Sequence, residues 1–305
     1  MPICASQKRG IAASAAAAFR EGRNAHQAVR LVEGAWKLNR RHAVDCDLKA
    51  FFDTVKHDPL LAQLREKIGG GNAPAAIAAS PRGEAIPHGR RNGVKLLRLI
   101  GRYLRAGVEL PDGTHEATPL GVPRGGPLSP LLANIVLDPL DKELTRRGHV
   151  FARYADDFLI LVKSAKAAQR VMESVVTYVE GKLKLVVNRT KSKCAPLAEC
   201  EFLGFSISKQ GKVKWTAKSM KRYKQQVKEI TRRNRGASAK DVIVELHRYV
   251  TGWTNYFGIS HTYREVLELD EWMRRRVRLY YWTAPAAIAA SLECEAIPQI
   301  VPQGG

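Results

Sequence analysis

The sequence predicts an α+β fold: an antiparallel sheet packed on helices, followed by an all-helical domain. Three observations predict it. FARYADDFLILVKS (151–164) has apolar runs on either side of a polar YADD tip, which reads as a hairpin. The segments before and after it repeat their apolar residues at helical spacing. Past residue 215 the pattern is helical throughout and strongly basic. Strands and helices segregated in this way indicate α+β rather than alternating α/β layers.

The elements follow in order. GRNAHQAVRLVEGAWKLN places Ala25, Ala28, Val29, Val32, Ala35 and Trp36 on one helical face. RHAVDCDLKAFF reads as a strand running into a turn. DPLLAQLREKI is a helix started by Asp58, with Pro59 in its first position. VKLLRLIGRYLRAG is a basic amphipathic helix closed by Gly107. SPLLANIVLDPLDKELTRRG is a long helix with Ser129 as N-cap and Pro139 as a potential kink. SAKAAQRVMESVVTYVEGKL is a further helix, and KLVVN and EFLGFSIS are short strands. The expected domains are an unmatched segment 1–18, a catalytic part 19–210 with an inserted loop at 70–93, a helical domain 211–282 and a tail 283–305.

The loop and the tail share their text. APAAIAASPRGEAIP (73–87) and APAAIAASLECEAIP (284–298) differ only at the three positions after Ser80 and Ser291. Unrelated sequence separates them, which excludes a solenoid. A translated mobile DNA repeat explains identical text at unrelated sites; a duplicated docking peptide is the alternative.

Composition narrows the partners. The chain has 305 residues, 45% of them hydrophobic, enough for two modest domains with sizeable cores. The formal net charge is +21 and the pI about 10.0. Such an excess implies a polyanionic partner, most simply nucleic acid, through phosphate neutralisation and counterion release. An anionic membrane surface or a ribosome would also fit the charge. No apolar run approaches the length of a membrane span. Cys4, Cys46, Cys194, Cys200 and Cys294 are scattered and form no CxxC, which argues against structural zinc or a disulfide framework. A reducing, cytoplasmic setting fits them. The alanine-rich N-terminus imitates a signal or transit peptide only weakly.

The chemistry lies in two acidic clusters. Asp156 and Asp157 stand side by side in a run that otherwise suits burial. Asp favours turns, so a plain hairpin tip is one reading. DCDLKAFFDTVKHD offers the other, because Asp47 ends a strand. If that strand lies beside the hairpin, Asp47 can meet Asp156, with Asp157 adjacent. Converging carboxylates are costly unless a cation neutralises them, and hard oxygen ligands favour Mg²⁺. Two such ions about 4 Å apart stabilise the attacking and leaving oxygens of an in-line phosphoryl displacement. A basic protein with such a site reads as a polymerase or nuclease.

These residues also carry a family resemblance. YADD (154–157) resembles the YxDD box of reverse transcriptases, and DLKAFFDTVKHDPLL (47–61) their first aspartate motif. LGVPRGGPLSPLLANIVLDPLDKEL (120–144) and FREGRNAHQAV (19–29) resemble blocks of group II intron proteins. VVNRTKS (186–192) resembles their Asn-x-x-Lys motif and FLGFSIS (202–208) the primer-grip region. RYVTGWTNYFGIS (248–260) and EWMRRRVRLYYW (271–282) resemble the maturase domain. The likeness covers about 19–70 and 94–282.

The resemblance implies a reverse-transcriptase palm followed by an all-α thumb/maturase domain, acting as an RNA-directed DNA polymerase of group II intron type. It implies that Asp47, Asp156 and Asp157 are the catalytic, metal-binding aspartates for two Mg²⁺ ions. A primer 3′ hydroxyl would attack the α-phosphate of a dNTP and release pyrophosphate. Phe52 falls where the family keeps an aromatic gate against ribonucleotides; a plain core Phe is the alternative. Pro123, Arg124 and Gly125 match a Pro-Gln-Gly segment beside template and nucleotide. Arg124 departs from it: an Arg holds phosphate more tightly but removes an amide. Lys191 matches a lysine near the leaving pyrophosphate, against a plain solvent-facing Lys. Phe202, Leu203, Gly204 and Phe205 match the primer grip. His57 reads as a turn or surface histidine, and Trp253, Tyr256 and Phe257 as core.

The C-terminal helices add RNA binding. Lys221, Arg222, Lys224, Arg232, Arg233, Arg274, Arg275 and Arg276 concentrate charge among aromatic residues, a pattern suited to structured RNA. The expected partners are intron RNA, an RNA template with DNA primer, and dNTPs, with no membrane. The family's finger segments have no counterpart in residues 1–18, and no Cys/His nuclease module follows Trp282. Impaired polymerisation is therefore expected. A non-catalytic RNA-binding splicing cofactor and a decayed, inactive remnant stay open as alternatives.

Overall fold

Asn24 opens the first helix of the computed structural model, which describes residues 22–69, 88–109, 112–123, 125–232 and 235–282. Its side chain accepts the Gln27 amide at 2.9 Å, satisfying one of the donors that a helix start leaves open. Helix α1 (Ala25–Lys37) then buries Ala28, Val29, Leu31, Val32 and Ala35 along one stripe. Strand β1 (His42–Cys46) follows, then the single turn α2 (Phe51–Thr54), α3 (His57–Gly69) and α4 (His88–Arg105). A two-residue pair, β2 (Val108–Glu109) with β3 (His115–Glu116), precedes α5 (Ser129–Arg146). The hairpin β4 (Val150–Tyr154) and β5 (Asp157–Val162), helix α6 (Ala165–Tyr178) and strand β6 (Lys193–Pro196) complete the first compact unit, Met1–Pro196.

Its sheet is antiparallel throughout, in the order β4-β5-β1-β6. The first strand in the sequence therefore lies between two strands that come more than a hundred residues later. Val44, Cys46, Phe158 and Ile160 join Leu132, Leu137 and Leu140 of α5 and Ala168 and Val175 of α6 in one core.

The second unit, Leu197–Gly305, begins with a small sheet, β7 (Glu201–Phe202), β8 (Phe205–Ile207) and β9 (Val213–Trp215), in that order. Three helices follow: α7 (Ala217–Ile230), α8 (Ala239–Phe257) and α9 (Tyr263–Trp282). Thr216 and Ser238 cap the first two through side-chain oxygens, each accepting the amide three residues on. Trp215, Tyr223, Leu246, Trp253, Leu269 and Met273 form the core, so Trp253 and Phe257 pack as the sequence predicts. Among the described residues no helix is long and apolar enough to cross a membrane.

Several details differ from the sequence reading. The compact units divide at Pro196, ahead of the expected 210/211 boundary, because the β7–β9 sheet packs with the helices that follow it. KLVVN makes only one isolated bridge, Leu48 to Val187; the edge strand is Lys193–Pro196 instead, recruited by the free side of β1. Ser129 lies inside α5, and its hydroxyl donates to the Pro123 carbonyl rather than capping the helix. Pro139 sits within α5 without ending it. His57 is buried, with its Nε2 2.7 Å from the Gly121 carbonyl. The last residues of the expected 70–93 insert form the start of α4. The rest of that insert, the segment 1–18, the tail 283–305, Arg124 and Arg233 lie outside the described residues.

Candidate active site

β1 runs out of the sheet at Asp47, and the chain there is bound by another segment. The Asp47 amide donates to the Ser192 hydroxyl at 3.0 Å, and the Asn188 amide donates to the Asp47 carbonyl at 2.8 Å. The Asn188 side-chain NH₂ donates to Asp47 Oδ2 at 2.9 Å. The Asn188 side-chain oxygen in turn accepts from the Thr190 hydroxyl and the Lys191 amide. Asn188 thus fixes one carboxylate oxygen of Asp47 and the loop that carries Lys191.

The next residues turn sharply. Ala50 takes a left-handed φ of 46° and starts α2, which sends Phe51 into the core and leaves Phe52 half-buried at the cleft. Backbone from a distant segment holds this turn: the Gly121 amide donates to the Val55 carbonyl at 2.8 Å and the Val122 amide to the Phe52 carbonyl at 2.6 Å.

Across the cleft, β4 and β5 pair to Tyr154↔Asp157, leaving Ala155 and Asp156 as a two-residue turn. Ala155 has φ 57°, a conformation in which a Cβ is unfavourable. Below the turn lies a buried charge. Arg153, 1% exposed, donates Nε and NH2 to the two Asp141 carboxylate oxygens at 2.8 and 2.6 Å. Its NH1 donates to the Asn134 side chain at 3.0 Å and to the Ala155 carbonyl at 2.8 Å.

A cleft of about 610 Å³ gathers these parts, lined among others by Asp47, Phe52, Gly125, Gly126, Asp156 and Lys191. Asp157 begins β5 and falls on the sheet face shared by Asp45 and Asp47, whereas Asp156 occupies the turn. Asp157 keeps an exposed flank, but protein atoms crowd its carboxyl group. That desolvation, followed by the charges of Asp45, Asp156 and Asp47, pushes its pKa up to about 7. Burial, and to a smaller extent Asp47, also raises Asp45, against the opposing pull of Lys193. Among the described residues no three carboxylate, imidazole or thiol side chains converge closely enough to hold a metal ion as they stand. Asp47 and Asp156 line one cleft, and Asp157 stands near enough for the charges of both to act on its carboxyl group.

In the second unit, Leu203 and Gly204 form the β7–β8 turn with φ 54° and 81°. Both residues left-handed is the pattern of a type I′ hairpin. The Tyr256 hydroxyl donates to the Leu203 carbonyl at 3.0 Å, and the Ser219 hydroxyl donates to the Gly204 carbonyl at 3.0 Å. A Cβ on Gly204 would approach Ser219 Oγ to 2.9 Å and Phe257 to 3.3 Å, so glycine is required. Phe202 and Phe205 are buried, leaving the turn itself as the available surface.

The basic residues also divide. Lys221, Arg222, Arg232 and Arg275 are exposed. Arg274 pairs with Asp270 at 2.7 Å, Arg276 donates to the Thr231 hydroxyl at 3.0 Å, and Lys224 lies over the Trp272 ring at 5.6 Å. Sequence reasoning named Asp47 but missed Asn188 and Ser192 as its holders, and missed Asp45 and Arg153. Alternation along β1 was the one signal that could have added Asp45.

Known proteins resemble this chain in sequence and in fold. Residues 85–207 match the family described as "Reverse transcriptase (RNA-dependent DNA polymerase)", and residues 220–284 the "Group II intron, maturase-specific domain". Protein YkfC of Escherichia coli K12 is 27% identical over 213 residues, covering 57% of this chain and 50% of YkfC. The group II intron-encoded protein LtrA of Lactococcus lactis is 25% identical over 271 residues, covering 67% of this chain and 41% of LtrA. The chain thus spans half or less of the length of these relatives. Apo telomerase from Candida tropicalis shares the fold, with a TM-score of 0.53 at 15% identity over 94% of this chain and 50% of that one. The chain thus carries a segment that matches the reverse-transcriptase family, followed by one that matches the group II intron maturase-specific domain.

Proposed function

We propose that this chain is an RNA-directed DNA polymerase of group II intron type, with its palm in the unit that ends at Pro196 and a thumb/maturase part, in the helices that follow, that binds intron RNA. The observation that carries the reading is the single cleft shared by Asp47, Asp156, Phe52 and Lys191. Its substrates in this reading are an RNA template with DNA primer, and dNTPs.

The donor set suits Mg²⁺. Magnesium is held by one or two carboxylates together with substrate phosphates and waters, rather than by an all-protein cage. Two cleft-facing carboxylates therefore suffice without a preformed trio. Burial first, and then the charges of Asp45, Asp156 and Asp47, raise the pKa of Asp157, a cost that a bound cation would offset. When bound, Mg²⁺ supplies positive charge to the attacking and leaving oxygens of an in-line displacement. The chain's own residues do the positioning. Asn188 and Ser192 hold Asp47, the Gly121–Val122 backbone holds Phe52 as a wall of the cleft, and Lys191 offers a cation to phosphate.

Primer extension on an RNA template with Mg²⁺ and dNTPs tests this, run beside Asp156→Asn with Asp157→Asn. Extension by the parent and none by the double variant is expected, with RNA affinity nearly unchanged. A large loss of RNA affinity would overturn the separation of the palm from the RNA-binding surface. A second reading, an RNA-binding splicing cofactor with an idle palm, draws on the exposed Lys221, Arg222 and Arg275 in a unit distinct from the carboxylates. It predicts intron RNA binding and no extension.

A further inference from the structure

Arg153 is an unusual residue to find buried on a sheet strand. A guanidinium removed from water is costly, and it is retained only when its donors are met. Here every donor with a resolved partner points at something particular. Two go to Asp141 on α5 in a bidentate pair, and NH1 is shared by Asn134 of the same helix and the Ala155 carbonyl. The last contact differs in kind. Asp141 balances the buried charge and Asn134 accepts a hydrogen bond from it, whereas the Ala155 oxygen belongs to the turn that carries Asp156. That turn has no glycine and places an alanine at φ 57°, so it persists only where surrounding contacts over-determine it.

We propose that Arg153 is the positioning residue of this site. Anchored to α5 through Asp141, it holds the Ala155 carbonyl, and so keeps the strained turn in the one conformation that presents Asp156 to the cleft and Asp157 to the Asp45–Asp47 face. Arg153 touches neither carboxylate; it acts through the backbone between them. A lysine cannot substitute, because three separate acceptors require the planar fork. The consequence for polymerisation rests on the function proposed above, but the hold on the turn does not.

The test separates charge balance from turn holding. Arg153→Met alone removes the bidentate partner of the buried Asp141 and is expected to lower stability. Arg153→Met with Asp141→Leu replaces the ion pair by apolar side chains, an exchange that is often neutral or stabilising. Three readouts are taken on the full chain: the urea midpoint, hydrogen exchange at the Asp156 and Asp157 amides, and Mn²⁺ affinity without substrate. The double variant is expected to keep the parent midpoint, to exchange faster at both amides and to bind Mn²⁺ more weakly. Primer extension is expected to fall by about 100-fold, the scale of a misplacement of about 1 Å.

A double variant with parental exchange, Mn²⁺ affinity and extension would show that Arg153 only neutralises Asp141, and would overturn the proposal. A double variant that loses its midpoint would overturn it as well, by making the residue structural. A parent that neither binds Mn²⁺ nor extends primers, with exchange at the turn still accelerated in the double variant, would refute the polymerase reading and leave the positioning role standing.

Discussion

Gly121 lies outside the first aspartate motif and outside the YADD box, yet the cleft depends on it. Its φ is +91°, and a Cβ there would stand 2.8 Å from the Phe52 carbonyl oxygen and 3.0 Å from Asp53 Cα. Both obstacles are backbone, so neither can rotate away. Gly121→Ala is expected to cost about 1–3 kcal/mol from the left-handed conformation alone, read as a lower urea midpoint. It should also push α2 outward and so disturb Phe52. His57 belongs to the same arrangement, since its ring meets the Gly121 carbonyl from the other side. Residues of this class were hidden in the sequence. LGVPRGG shows a glycine but not its φ, and KHDP shows a histidine at a helix start but not the carbonyl it meets 64 residues away.

Among the elements, the hairpin and most helices were legible because their signals are local. The apolar runs flanking YADD need no partner to be read, whereas Ser129, read as an N-cap, lies inside its helix, and the caps Asn24, Thr216 and Ser238 went unread. The edge strand Lys193–Pro196 was illegible for the opposite reason. KCAP has neither alternation nor strong strand propensity, and it is extended because β1 offers it hydrogen bonds. The boundary of the inserted repeat was misplaced for a similar reason. HGRRNG looks like loop, but it is continuous with α4, and at Gly93 a Cβ would lie 2.7 Å from the Ile68 side chain of α3. A deletion meant to remove the repeat should therefore stop short of the helix. Removing 72–87 is expected to leave one cooperative unfolding transition with an unchanged midpoint. Its loss in circular-dichroism melts would show that the segment is part of the fold.

Over the whole molecule the governing quantity is charge. At +21, the chain should bind structured RNA through many phosphates, and its affinity should fall linearly with the logarithm of salt concentration. With six or more phosphate contacts, the loss between about 50 and 200 mM salt is expected to be on the order of a thousandfold, measurable by filter binding. A salt-independent affinity would refute phosphate recognition as the main term. Composition made this legible, but not which charges are available. Arg274 and Arg276 are engaged within their own helical unit, and Arg275 pairs with Glu271 at 3.9 Å, so the exposed Lys221 and Arg222 are the better guides to its RNA-facing surface.

The position of β1 also has a consequence in time. Its two neighbours in the sheet are β5 and β6, and Asp47 takes its holders from Asn188 and Ser192, 141 and 145 residues downstream. On a ribosome β1 emerges early and waits with both edges bare until those strands are made, and an unpaired strand is a template for wrong partners. The cleft has no intermediate stage of its own: until the last strand of the first unit has left the exit tunnel, the first aspartate of the site belongs to nothing.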